Sequence, residues 1–410
     1  MAGYRQAATI LEVIFGKTNH KMPHHTTVRC WVIRHGYYHI QKPIEKADDW
    51  IAIGDLTIQL GKIKCLTILG VGMSNLEQRT DFTLTHKDVE ILGLHATEKA
   101  TGEFSCKAFI ETRNRIGCDF LGMIIDQGAD IKKGGRLLLE QCPNTKLIHD
   151  IPHKLSLVLE RVLKDDPMWA SFIKNLLDTR RLIAQTELAA MMPPTQRSKA
   201  RFMDIAYLIE WPRRILECKN KGRLDAIPEE RYKKYFGWIE EFELPLRDWK
   251  YMEGTLSMIK GVLREFGLSH DTYNYLKMIF QEFYSIDAKE ELLIFTANAL
   301  RAVEEECNKL GDGQVLICST EVIESVFGKF KEMTSSSQGI TGNILGMATY
   351  VGPELKEQDL KIVMESCSTL TAMDWIKLKI GNTLGKLRYQ FFKDCKETKF
   401  DIALEEQLIA

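Results

Sequence analysis

Hydrophobic positions along this chain fall into three textures, and each predicts a different kind of element. Near the N-terminus they return with helical spacing: Ala8, Leu11 and Ile14 share one stripe of a helix predicted over 4–17. Val28, Trp31 and Val32 share another, in a helix that starts at Thr26 and is expected to end at Gly36. The polar, histidine-bearing stretch Thr18 to His25 joins the two, which gives the outline of a helix-turn-helix. Arg29 and Arg34 lie off the apolar stripe of the second helix, free to meet phosphates or guanine edges.

From Trp50 the texture changes to short apolar runs bounded by glycine and charge, which predict strands at Trp50 to Gly54, Ile63 to Gly72, Val89 to His95 and Phe120 to Ile125. Helical spacing covers Thr101 to Ile116 and Ile131 to Cys142, and a short strand is expected around Lys146 to His149. Strands in succession, then strands alternating with helices, predict an α/β core with a mixed five-stranded sheet whose first strands are antiparallel. Beyond Pro152 the strand signals stop. Leu155, Val158, Leu159, Val162 and Leu163 open a block with helical spacing that continues to Leu310. A strand-like run, Val315 to Cys318, leads into a helix over Thr320 to Met333. The Ser- and Gly-rich stretch Thr334 to Gly346 reads as a flexible connection, and further helices follow over Met364 to Asp394. The resulting division is an N-terminal helical pair (1–45), a first core segment (46–154), a large all-α insertion (155–310), a second core segment (311–345) and a C-terminal helical region (346–410).

Composition narrows the function classes. With 410 residues and 45% hydrophobic content the chain is long enough for several domains with real cores. Its longest apolar runs, such as Cys65 to Val71, are far shorter than the roughly 18 residues of a membrane span. The first residues lack the pattern of a secretory leader, so a cytoplasmic protein is expected. Ten cysteines occur without a C-x-x-C pair, which predicts reduced thiols rather than a disulfide scaffold or zinc ribbon. A formal net charge of −1 gives no overall attraction to nucleic acid. Two local basic patches stand out against it. One is Arg197, Lys199 and Arg201, able either to follow a DNA backbone or simply to solvate a helix end. The other is Arg213 and Arg214 with Lys219 and Lys221.

The candidate chemistry is carried by acids. Asp55 directly follows one apolar strand and Asp126 another, so both carboxylates are expected to leave the sheet into one crevice. On the predicted helix Thr320 to Lys331, Val322, Ile323, Val326, Phe327 and Phe330 make the buried face. Glu324 and Lys331 share an edge well off its centre, with Glu321 the rival glutamate one turn earlier. Carboxylates from two strands and a helix are the ligand set that hard Mg²⁺ prefers, and a pair of such ions about 3.5 to 4 Å apart suits phosphoryl transfer.

Taken together, these residues resemble the DDE (Asp-Asp-Glu) transposases of bacterial insertion sequences. The resemblance is carried by Gly54-Asp55-Leu56-Thr57, by the run from Ile125-Asp126-Gln127-Gly128 to Gly134, by Asp150-Ile151-Pro152-His153, and by Ser319 to Lys331. In that family an E-x6-K pattern marks the catalytic glutamate, and here it falls on Glu324 and Lys331. Many insertion-sequence enzymes place Tyr and Arg seven and four residues before the glutamate, where this chain has Ile317 and Thr320.

The resemblance implies an RNase H-like core with Asp55, Asp126 and Glu324 holding two Mg²⁺ ions, or Mn²⁺ in their place. It implies cleavage of double-stranded DNA at mobile-element ends, strand transfer into a target, a homodimer or larger assembly on DNA, and a nucleoid-associated location. Asp150 and His153 resemble the D-x-x-H motif of enzymes with an all-helical insertion, the hAT-type transposases among them. Their insert can carry an aromatic that stacks on a flipped base, a place for which Trp211 is the candidate, with a core tryptophan as the alternative. A nuclease or resolvase that cuts without joining, and an inactive, domesticated transposase that only binds DNA as a regulator, are the rival readings.

Overall fold

The computed structural model of the chain describes residues 3–16, 21–44, 47–58, 61–77, 79–196, 201–224, 226–283, 289–333, 339–354 and 356–396. In chain order its elements begin with α1 (Tyr4–Phe15), α2 (His25–Gln41), β1 (Trp50–Ile58), β2 (Lys64–Gly72), α3 (Ser74–Glu77), β3 (Glu90–Thr97), α4 (Gly102–Ile116), β4 (Gly122–Ile125), α5 (Ala129–Leu139) and β5 (Lys146–His149). Helices follow: α6 (Ile151–Leu163), α7 (Pro167–Ile183), α8 (Ala206–Asn220), α9 (Glu229–Phe236), α10 (Glu243–Phe266), α11 (His270–Phe283) and α12 (Glu290–Cys307). The chain then adds α13 (Glu321–Met333), a 3-10 helix (Gly342–Thr349), α14 (Glu357–Ser366), α15 (Thr369–Lys379) and α16 (Leu384–Lys396). Two compact units result: Met1–Arg79 with Leu84–Ile148 and Thr320–Ala410, and Thr80–Thr83 with His149–Ser319.

The sheet is mixed and five-stranded, in the order β3-β2-β1-β4-β5. β1 pairs antiparallel with β2, and β2 with β3, whereas β1 and β4 run parallel. A parallel pair needs a crossover connection, which includes α4 here. Side chains alternate along each strand, so one face of the sheet carries Trp50, Ala52, Leu66, Ile68, Leu92, Met123 and Ile125 against Ala108, Phe109 and Ile116 of α4 and Ile131 and Leu138 of α5. The same alternation assigns Ile51, Ile53, Asp55 and Thr57 of β1 to the other face. There the Thr67 hydroxyl of β2 reaches Met347 Sδ of the 3-10 helix at 3.8 Å. α13 packs against β1. Arg115, near the end of α4, ties the layers together by donating to the carbonyls of Leu92 at 2.7 Å and of His39 and Lys42 at 2.9 Å.

α2 differs from expectation in length and in role. Gly36 does not end it. The helix continues to Gln41 with Ile33, His35, Gly36 and Ile40 buried, and it packs on α1, β3, α14, α15 and the 3-10 helix. Gly36 is instead the point of closest approach: a Cβ there would lie 1.9 Å from the Leu345 carbonyl oxygen. The arginines expected to face DNA are engaged within this unit. Arg29 Nε donates to Asn343 Oδ1 at 2.8 Å. Arg34 donates from Nε to the Cys367 carbonyl at 2.7 Å and from Nη2 to the Met364 carbonyl, carbonyls near the end of α14 that helical hydrogen bonding leaves over.

The supposed flexible connection is also different where it is described. Residues 334–338 lie outside the described residues, but Ile340, Ile344 and Leu345 are buried, because this stretch is apolar enough to form part of the core. Gly342 fits close against Ile376 of α15.

The second unit is helical, as the spacing predicts. Val315 to Cys318 forms no strand, only an isolated bridge between Leu316 and Leu268. Its core includes an aromatic group in which Trp169 meets Trp249 edge-on at 4.9 Å and Phe172 lies 5.0 Å from Trp249. Glu306 of α12 is 1% exposed. Burial by itself would raise its pKa, but Lys154, Lys309 and the His149 N–H hold the carboxyl below its ordinary value. Its oxygens accept from Lys154 Nζ and from the His149 N–H, both at 2.8 Å.

Two stability measurements check this packing. Gly36→Ala should lower unfolding free energy by about 3 kcal/mol, since the added methyl meets backbone rather than a movable side chain. Glu306→Gln should cost about 2 kcal/mol, because the Lys154 ammonium keeps its charge and is left with the exposed Glu305 carboxylate in place of the buried Glu306 one. Urea titrations with unchanged slope and a lowered midpoint are the expected result; a midpoint within error of the parent protein would contradict either assignment.

Candidate metal centre

The β1–β4 pairing determines where the aspartates stand. Its parallel register sets Ile51 beside Gly122, Ala52 beside Met123, Ile53 beside Ile124 and Gly54 beside Ile125. One residue further along each chain are Asp55, still within β1, and Asp126, directly after the end of β4. Gly54 faces α4, where a Cβ would lie 3.1 Å from the Phe109 ring. Alternation therefore turns Asp55 to the opposite face. Each carboxylate is held by the next residue's amide: Leu56 N–H donates to Asp55 Oδ1 at 2.6 Å, and Gln127 N–H to Asp126 Oδ1 at 2.5 Å.

α13 brings the third acid. Val322, Ile323, Val326, Phe327 and Phe330 are all buried, as the helical period requires, while Glu324 and Lys331 are exposed on its edge. The electrostatics of Asp55 register all four charged groups. Its pKa is pushed up to about 7, first by burial and next by the negative charge of Asp126. The Leu56 amide draws it down, Glu324 raises it, and Lys331 lowers it. Asp55, Asp126, Glu324 and Lys331 thus share one field.

The donor chemistry fits a hard divalent cation: three carboxylates and, in this group, no thiolate or imidazole. Among the described residues no three of His, Cys, Asp and Glu are drawn closely enough together to enclose an ion.

The remaining predicted residues distribute as follows. Asp150, 1% exposed, precedes α6, and His153 sits in its first turn; both belong to the helical unit. His153 lines a groove of about 540 Å³ with Trp169, Gln196, Arg201 and Phe202, a grouping of distant residues that carries no local sequence signal. Arg201 is exposed; Arg197 and Lys199, the other members of its basic patch, lie outside the described residues. Trp211 is in the helical core. Its Nε1–H donates to the Met191 carbonyl at 3.0 Å, and its ring stacks 6.4 Å from Trp238. A half-buried indole whose N–H is already bonded and whose ring packs on other aromatics has the contacts of the core-tryptophan alternative.

No model of a known protein family matches the chain, and no curated protein matches it. No helix among the described residues is long and apolar enough to cross a membrane.

The Asp55 shift makes a pH prediction. Its folded pKa, about 7, lies above the ordinary value of 3.8, so the native state prefers the protonated carboxyl. That contribution is complete below about pH 4 and is lost as pH rises through 7. In chelator, Asp55→Asn, which cannot ionise, should match the parent near pH 4 and exceed it at pH 8 by roughly 1–4 kcal/mol. Thermal melts that keep a constant gap between the two proteins across this range would overturn the assignment.

Proposed function

We propose that this chain is a metal-dependent DNA-cutting and DNA-joining enzyme of the Asp-Asp-Glu transposase type, with its sheet as an RNase H-like core. The observation that supports it most is the alignment of Asp55 with Asp126 on adjacent parallel strands, in one field with Glu324 and Lys331. The strand arrangement, three antiparallel strands followed by parallel addition across a helix, is compatible with that core.

In this reading Asp55, Asp126 and Glu324 hold two Mg²⁺ ions, or Mn²⁺. When bound, such ions supply the positive charge that a phosphodiester needs to accept an attacking oxygen and release a leaving one. Such a charge beside Asp55, whose pKa burial and Asp126 push up to about 7, would favour its ionised form, the proton passing to solvent. Lys331 lies at the exposed edge of α13, where its ammonium can bind a phosphate oxygen of the incoming duplex. The apolar strand residues below the acids keep bulk water from beneath the reacting group. The substrates are the ends of a mobile element and a target duplex, engaged by two or more copies of the chain in the bacterial cytoplasm. We assign no groove-reading role to α2, whose Arg29 and Arg34 are engaged inside the fold.

The test is an assay with a labelled duplex taken from the inverted repeats flanking the gene, in Mg²⁺. The parent protein should yield cut and then joined products, with duplex binding that weakens as salt rises. Asp126→Asn should reduce both products by at least about a thousandfold, since removing a ligand removes the charge stabilisation of the transition state, and should leave binding intact. Cut products alone would favour a nuclease, binding alone a regulator, and cleavage that survives Asp126→Asn would end the site assignment.

A further inference from the structure

Thr57 stands two residues beyond Asp55 on β1 and therefore on the same face of the sheet. It is 2% exposed, and its hydroxyl oxygen is buried without a hydrogen-bond partner. Its neighbours on that face are accounted for differently. Thr67, paired across from Asp55, donates to Met347 Sδ, while Cys65, paired across from Thr57, directs its thiol to the Leu66 carbonyl at 3.8 Å. A buried hydroxyl left unsatisfied is costly, and a valine of the same shape would fill the place without that cost.

The spacing indicates what the hydroxyl could serve. Residues two apart on a strand are separated by about 6.6 Å. A direct hydrogen bond to the Asp55 carboxylate is absent; one water, with two bonds of about 2.8 Å, joins oxygens up to about 5.6 Å apart, so the bridge forms when the two side chains lean about 1 Å toward each other across that backbone spacing. Mg²⁺ keeps several waters in its shell when held by few carboxylates, and partners outside the ligands orient that shell.

Resting on the metal-centre reading above, we infer that Thr57 is a positioning residue: its hydroxyl holds a water against the Asp55 carboxylate and so helps bind the divalent ions. The group is retained at a cost to the empty protein and is satisfied when the ions and their water are in place.

The test compares the full-length parent with Thr57→Val, Thr57→Ala and Thr57→Ser. Mn²⁺ binding is followed by calorimetry, and melting is recorded in chelator. The valine variant should melt above the parent in chelator yet bind Mn²⁺ roughly tenfold more weakly. The alanine variant should show the same weakening, so the result does not depend on the fit of valine. Thr57→Ser, which restores the hydroxyl, should bind within about twofold of the parent. Parent-like Mn²⁺ affinity in both the valine and alanine variants would overturn the role of Thr57 and leave the metal centre standing. A folded parent that binds no Mn²⁺ would overturn both.

Discussion

Adjacent parallel strands can be matched in only a few ways when each is buried on both faces, because a slip of one residue turns every side chain over. β1 and β4 illustrate how much follows from that restriction. Four successive pairs of small or aliphatic residues, from Ile51 and Gly122 to Gly54 and Ile125, fix the register inside the core, and each strand brings an aspartate directly after the last pair. The other pieces of the first unit are arranged around this pair. α4 and α5 fill one face, with Gly54 leaving room for Phe109; on the other face Met347 of the 3-10 helix meets Thr67 beside Asp55. α13 packs on β1 and adds Glu324 to the field.

The arrangement works against electrostatics. A carboxyl in low dielectric next to two other acids is costly to ionise, and Asp55 responds by titrating near neutrality. Core hydrophobic packing imposes that proximity, since nothing in the acids themselves favours it. The helical unit solves its buried acid in the opposite way. Glu306 is surrounded by Lys154, Lys309 and an amide, so its charge is stabilised from within and the site is closed. One carboxylate is finished by the protein and the other is left with charge to neutralise, and that contrast separates a structural acid from a candidate ligand.

Much of this was legible in the sequence for physical reasons. The apolar run before Asp126 read as a buried strand and is one, and the helical period around Val322 and Phe330 allowed Glu324 and Lys331 only its edge; β1, however, runs on past Gly54 to Ile58, so Asp55 stands within the strand rather than at its end, because Leu56 and Thr57 keep pairing with β2. Two arginines were misread because the helical wheel of α2 shows which residues avoid one apolar stripe, but not that other helices enclose the polar side as well; Arg34 meets carbonyls more than 300 positions away in the chain. Gly36 read as a helix stop because glycine usually is one, whereas here it permits contact with Leu345. Composition suggested a loose linker before Gly346, yet Ile344 and Leu345 decide that stretch by burial. Trp211 could not be distinguished from a surface platform without its partners, Met191 and Trp238.

The acids of the sheet and the acid of the helix are separated in the chain by the whole of His149–Ser319. During synthesis β1 and β4 therefore leave the ribosome long before α13. A nascent or truncated product ending before Thr320 has two of the three acids and lacks the helix that contributes the last one. By the order of the chain alone, the complete set of charges exists only in a molecule whose entire helical unit has also been made.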